Sequence, residues 1–222
     1  MPPPSGSLPL TLILAATPSL GIGKGGSLPW PQLKKEMGYF ARVTKRVSPS
    51  PTANRRRINA VVMGRKTWDS IPPRFRPLKD RLNVVITRDA QNAQWKSVPK
   101  DAVEGPVVAT SLTSALECLQ DDKDLEVEKV FVIGGASIYK DALALKQTNR
   151  VLLTKIKSDV ECDTFFDVDL DGEDGKAQGW TRSGKEELER YVGEEVKEGD
   201  VEEQGFAFEF CLYEREEDIT AG

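Results

Sequence analysis

The chain has 222 residues, enough for one well-buried α/β domain over 1–222, and no low-complexity linker divides it. A net charge of −4 with both signs scattered gives no basic stripe for nucleic acid, and no apolar run is long enough to span a membrane. Histidine is absent, so Ser-His-Asp and Cys-His machinery and most catalytic zinc sites are excluded, and three widely spaced cysteines (Cys118, Cys162, Cys211) fit a reducing, cytoplasmic setting with no metal knuckle.

In chain order, Leu10–Ala16 (LTLILAA) reads as a strand buried on both faces, and no Lys or Arg precedes it as a signal peptide would require. "LGIGKGGSLPW" follows, with glycines at 21, 23 and 26 matching the dinucleotide fingerprint letter for letter. The match is formal, because Pro29 and Pro31 forbid the helix that must open within it, and Lys24 lacks the spacing of a phosphate-wrapping loop. A glycine-rich loop is expected instead, then a helix starting near Pro31. On that helix Leu33, Glu36, Met37 and Phe40 fall at i, i+3, i+4 and i+7, so Glu36 occupies a slot of the apolar stripe. A carboxylate there is paired, protonated or reserved for a ligand, unless it snorkels outward from the first turns of the helix.

The stretch 47–57 (VSPSPTANRRR) reads as a solvated insertion. Apolar runs at Ile58–Met63, Leu82–Ile86, Pro106–Ala109 and Lys129–Ile133 read as further strands. They end in Gly64-Arg65-Lys66-Thr67, Thr87-Arg88, Thr110-Ser111 and Gly134-Gly135-Ala136-Ser137, with helices through Leu112, Leu116 and Leu119 and through Ile138 and Tyr139. Strands alternating with helices predict a largely parallel sheet whose ligands bind beyond the carboxyl ends of the strands. Those ends gather cations, hydroxyls and glycines, which suits an anionic ligand. The glycine pair at 134 and 135, turning a buried strand straight into a helix, is the expected seat of a pyrophosphate. Arg65, Lys66 and Arg88 stand where a ribose-binding acid would be wanted, which favours a 2′-phosphate and hence NADPH over NADH.

"GIGKGGSLPW", Glu36 with Tyr39-Phe40, "MGRKTWDSIP" (63–72), "RPLKDRLNVVITR" (76–88), "VIGGASIY" (132–139), "DTFF" (163–166) and "FAFEFCLYER" (206–215) together closely resemble the dihydrofolate reductases of eukaryotic type, most of all the longer fungal members. The resemblance implies a single domain with a predominantly parallel sheet of about eight strands, the last antiparallel, flanked by helices. It implies hydride transfer from NADPH to C6 of 7,8-dihydrofolate with protonation at N5, and antifolates such as methotrexate as inhibitors. By resemblance Glu36 is the catalytic carboxylate that pairs with the pteridine, assisted by Thr154. Ile13, Met37, Phe40, Ile71, Leu78, Ile133 and Tyr139 would line the substrate pocket, and Arg81 would grip the glutamate-tail carboxylate. Ala15, Ile22, Gly26, Ser27, Gly64, Arg65, Lys66, Thr67, Thr87, Arg88, Ser111, Gly134, Gly135, Ala136, Ser137, Ile138 and Tyr139 would bind the cofactor, with Gly21–Leu28 as a mobile loop over its nicotinamide, and with no metal.

Two segments exceed the compact pattern: 47–57 and the acidic stretch 171–205, expected as a surface excursion between the last two strands. No thymidylate synthase domain follows, so a monofunctional, monomeric enzyme is expected. The alternatives are another NADPH reductase of the same fold, such as the riboflavin-pathway type, and a folate-binding module without turnover. The first has no reason to keep Glu36 or the Arg81 segment, and a turnover assay separates the second.

Overall fold

In a computed structural model, residues 8–49, 55–92, 95, 103–120 and 125–215 are described. The first strand, β1 (Leu10–Ala16), runs into the short β2 (Gly21–Gly23) and then helix α1 (Lys34–Lys45). Next come β3 (Arg56–Gly64), α2 (Arg65–Ser70), a 3-10 turn (Pro73–Phe75), β4 (Arg81–Ile86), β5 (Val107–Ala109) and α3 (Leu112–Gln120). The chain continues through β6 (Leu125–Val132), α4 (Ala136–Leu143), β7 (Thr148–Ile156) and β8 (Thr164–Phe165). It ends with α5 (Glu173–Ala177), β9 (Trp180–Arg182), α6 (Lys185–Val192), β10 (Val201–Glu203) and β11 (Phe206–Arg215).

The main sheet has the order β10-β11-β7-β1-β6-β3-β4-β5, with β9 added on β11, while β2 and β8 form a separate pair. Strands β1, β3, β4, β5, β6 and β7 pair in parallel, and β11 runs antiparallel to β7, as the sequence predicts. Because successive side chains of a strand point to opposite faces, β1 divides its apolar residues between two cores. Leu10, Leu12 and Leu14 pack with α3 and α4, whereas Ile13 packs with Tyr39 and Val43 of α1, Trp68 of α2 and Leu188 and Val192 of α6. With helices on both faces, the carboxyl ends of the parallel strands meet at one open edge.

Three expectations change. Helix α1 opens at Lys34 rather than near Pro31, because Leu33 is extended (φ −82°, ψ 104°) and serves as its N-cap. Strands β3 and β6 begin earlier than their apolar runs, at Arg56 and Leu125, because charged residues pair across the ladder: Arg57 lies opposite Glu126 and forms an ion pair with it. Of the stretch 47–57, residues 50–54 lie outside the described residues, while Arg56 and Arg57 belong to β3.

The segment 171–205 is also more than a surface excursion. Trp180 is 1% exposed and joins the core under α3 and α4, Leu188, Val192 and Val196 join the opposite core, and Val201 packs with Leu33 and Phe208. Its strands β9 and β10 extend the sheet on either end of β11. Enough apolar side chains recur among its acids to anchor both.

Candidate active site

The carboxyl ends of β1, β3, β4, β5 and β6 open into one cleft of about 1900 Å³. Every residue expected to touch substrate or cofactor lines it except Thr154, which lies behind Glu36. At one end, α1 presents Glu36, Met37 and Phe40 to the cleft, while Tyr39 and Val43 on its other side enter the core. Past the buried Leu33, the stripe containing Glu36 thus forms a cleft wall rather than a core contact, and Met37 is 39% exposed there. This accounts for a carboxylate at an apolar position. Ile13, Ile71, Leu78 and Ile133 complete that wall.

Thr154 on β7, 3% exposed, donates its hydroxyl to Glu36 Oε1 at 3.4 Å. Burial among apolar groups pushes the Glu36 pKa up from its usual 4.5 to about 7, and the Thr154 hydrogen bond opposes the shift only in part. The carboxyl is therefore poised between its two protonation states at neutral pH. Tyr139, buried beside it, is pushed upward first by desolvation and then by the Glu36 charge, so it stays protonated and donates to the Ile13 carbonyl at 2.9 Å.

Arg81 opens β4 and is only 4% exposed, so it is not a surface cation. Its Nη1 donates to Thr44 Oγ1 at 2.9 Å, its Nε to the Lys79 carbonyl at 3.0 Å, and its guanidinium lies 5.9 Å from the Phe40 ring centroid. Burial lowers its pKa to about 10, which leaves it charged at neutral pH. A fixed cation thus closes the far end of the apolar wall.

The other arm of the cleft carries Arg65, Lys66 and Thr67 at the start of α2, Thr87 and Arg88 past β4, and Ser111 past β5. Between the arms, Gly134 and Gly135 connect β6 to α4. Gly134 has φ +116°, and a Cβ there would stand 3.4 Å from the Tyr139 hydroxyl and 3.5 Å from Thr67 Oγ1. The positive φ is what favours glycine there, since a Cβ at those distances would make only ordinary contacts. The Gly64 amide donates to the Gly134 carbonyl at 2.7 Å, tying the ends of β3 and β6 together. The first intrahelical bonds of α4 come from the Ile138 and Tyr139 amides to the Gly135 carbonyl, which leaves those of Ala136 and Ser137 at the cleft as helix-start donors.

The fingerprint-like glycines resolve into a different motif. Lys24 and Ser27 exchange both backbone hydrogen bonds around Gly25 and Gly26, whose φ angles of +58° and +79° make a two-residue hairpin turn rather than a helix start. The Gly25 amide donates to Asp163 Oδ2 at 2.7 Å, and β2 pairs with β8. Ile22, Gly26 and Ser27 then border the cleft between its two arms.

A family model described as dihydrofolate reductase matches residues 9–196. The chain belongs to the dihydrofolate reductase family. It is 42% identical to the dihydrofolate reductase of Pneumocystis carinii, over 93% of this chain and 97% of that one. To the enzyme of Candida albicans it is 38% identical, over 92% and 95% of the two chains. The solved structure of Schistosoma mansoni dihydrofolate reductase superposes with a TM-score of 0.68 at 35% identity, covering 94% of this chain and 99% of that one.

In this reductase the cleft also includes residues that the sequence reading did not assign. Trp30 and Gln32 follow the hairpin turn, Phe75 stands on the 3-10 turn, and Lys45 and Lys79 flank the Arg81 end. Trp30 sits inside the "GIGKGGSLPW" stretch, two residues past the loop already assigned, and could have been taken with it. Lys45 could not, because it lies at the last turn of α1, four residues past Ala41, with no local motif around it. No cluster of three or more potential metal-binding side chains occurs among the described residues, and no described helix is long and apolar enough to cross a membrane.

Proposed function

We propose that the chain reduces 7,8-dihydrofolate to 5,6,7,8-tetrahydrofolate with NADPH as the cofactor. The observation that carries this reading is the lone carboxylate in the apolar wall: Glu36, desolvated, backed by Thr154 and lining the same cleft as Phe40 and Ile13. Its two oxygens accept from the N3–H and 2-amino groups of a pteridine, a bidentate charge-assisted pair that orients the ring. Ile13, Met37, Phe40, Ile71, Leu78 and Ile133 hold the flat heterocycle and its linker by apolar contact, and Arg81 receives the tail carboxylate.

The other arm fits a phosphorylated dinucleotide. Arg65, Lys66, Thr87, Arg88 and Ser111 suit an adenosine 2′-phosphate, and the helix-start amides of Ala136 and Ser137, beside the space left by Gly134 and Gly135, suit a pyrophosphate. Bound there, NADPH supplies the hydride for C6. The chain's own residues position and shield: Ala15, Ile22, Gly26 and Ser27 border the space between the two arms, and the loop from Gly21 to Leu28 excludes water from it. Glu36 is engaged at N3 and the 2-amino group, so the proton for N5 comes from water rather than directly from its carboxyl. The chain acts as a monomer in this reading, as the family resemblance implies, and three free cysteines support a reducing, cytoplasmic setting.

The test is to mix the purified protein with NADPH and dihydrofolate and follow the loss of nicotinamide absorbance, with methotrexate as control. Methotrexate-sensitive oxidation is expected. Binding of NADPH without binding or reduction of dihydrofolate would overturn the substrate assignment.

A further inference from the structure

Helix α1 carries Glu36, Met37 and Phe40 into the cleft, yet its start has no side-chain cap of its own, because Leu33 occupies the cap position. The missing acceptor comes from 168 residues further along the chain: Glu203 Oε2, at the β10–β11 hairpin, accepts the Lys35 amide at 2.8 Å. A carboxylate at a helix start is favoured both by the free amides there and by the helix dipole. Two further bonds join the same pieces. Lys35 Nζ donates to the Glu202 carbonyl at 3.0 Å, and Gln204 Nε2 donates to the Gln32 carbonyl at 2.7 Å. Beneath them Trp30 and Leu33 pack with Val201 and Phe208 of the two hairpin strands.

At the other end of α1 the same chain segment holds again. Glu194 accepts from Arg42 and from Arg46, each at 2.9 Å, and Arg46 Nη1 donates to the Val192 carbonyl at 2.8 Å. The segment that departs from the compact pattern of the sequence therefore grips α1 at both ends.

We propose that the β10–β11 hairpin is a positioning device for substrate binding, in which Glu203 and Gln204 fix the first turn of α1 and so set Glu36 against Thr154. Glu36 directly follows the capped residue. The Thr154 hydrogen bond, at 3.4 Å, is too long to fix the carboxyl alone. A first turn without a cap frays, and fraying at Lys34 and Lys35 releases Glu36 with them. The cofactor arm stands on other elements, at the ends of β3, β4, β5 and β6, so the hairpin acts on one half of the cleft.

This proposal rests on the reductase reading above, and wild-type protein is measured first so that the two fail separately: wild type that neither binds nor reduces dihydrofolate overturns that reading. The variants are Glu203→Ala with Gln204→Ala, Glu203→Ala alone, and Glu203→Gln. Dihydrofolate affinity is read in the absence of cofactor by quenching of tryptophan fluorescence, and KM is measured separately for dihydrofolate and NADPH. In the double variant the Kd and KM for dihydrofolate should rise about tenfold while the KM for NADPH stays within about twofold. Glu203→Ala alone should give about half that effect on a logarithmic scale, about threefold, which serves if the double variant does not fold. Glu203→Gln, whose amide oxygen still accepts the Lys35 amide, should restore near wild-type values. An unchanged dihydrofolate Kd in the alanine variants would overturn the proposal, and so would an equal rise in both KM values.

Discussion

At the scale of single residues, the proposed reaction turns on a carboxyl whose surroundings resist its ionisation. Glu36 sits in an apolar wall and titrates near 7, yet it is the acceptor that a pteridine's N3–H and 2-amino groups would need. Glu36→Gln keeps the shape but replaces one acceptor oxygen by an NH2 donor facing another donor. It should therefore lower kcat/KM for dihydrofolate at least about 100-fold and leave the Kd for NADPH unchanged. Steady-state kinetics and a cofactor fluorescence titration check this, and near-normal turnover would remove Glu36 from the mechanism. The same raised pKa predicts how the ligand-free protein responds to pH. Below about 4.5 the group is protonated in both folded and unfolded chains and has no effect on stability. Between 4.5 and 7 the unfolded chain ionises while the fold holds the group neutral, so the stability associated with Glu36 is lost as pH rises, with no further loss above the folded value. The Tm of Glu36→Gln minus that of wild type should accordingly increase from pH 4.5 to 7 and then level off. A flat difference would mean that the empty cleft leaves the carboxyl at its ordinary pKa.

At the scale of elements, the loop after β1 is held by the fit of β2 against β8. A Cβ on Gly21 would stand 2.3 Å from Cys162 Sγ and 2.8 Å from its Cβ, nearer than van der Waals contact allows. Gly21→Ala should therefore displace β2 from β8 and destabilise the protein by about 1–3 kcal/mol, read from urea unfolding. Adding Cys162→Gly, which removes both clashing atoms, should recover part of the loss, and a purely additive double variant would refute the steric account. The carboxyl ends of the strands were legible because each apolar run stops abruptly at polar residues or glycines, and those ends are where the cleft forms. The beginnings of β3 and β6 were not legible. Arg57 and Glu126 look like loop residues singly and become strand residues only because they meet across the ladder, which a single segment cannot reveal. In the glycine stretch, Pro29 and Pro31 already exclude the fingerprint's helix and point to a loop, but the form of that loop was not legible. Local letters matched, but the decisive feature was the pair of backbone bonds between Lys24 and Ser27 that turns Gly25 and Gly26 into a hairpin.

At the scale of the whole molecule, the segment 171–205 decides whether the protein is a compact core with a decorative insertion or one cooperative unit. Its acidic residues dominated the sequence reading, while its buried ones are sparse and separated: Trp180, Leu188, Val192, Val196 and Val201. Leu188 and Val192 stand four residues apart on one face of α6, a helical spacing that is a weak signal alone because two apolar positions also occur on solvated helices. In the fold these two join Tyr39 and Val43 of α1 and Ile13 of β1 in one core, directly behind the wall that presents Glu36. Removing the Leu188 side chain should therefore act on the whole domain. Leu188→Ala should cost about 2–5 kcal/mol, against the roughly 0.5 kcal/mol of an ordinary surface change. If the segment is part of the cooperative unit, tryptophan fluorescence and far-ultraviolet circular dichroism will report a single urea transition with an unchanged m value and a lower midpoint. An independently folded insertion would instead give an early, separate transition at α6 and leave the midpoint for the remaining sheet where it was, and dihydrofolate affinity would then survive the loss of Leu188.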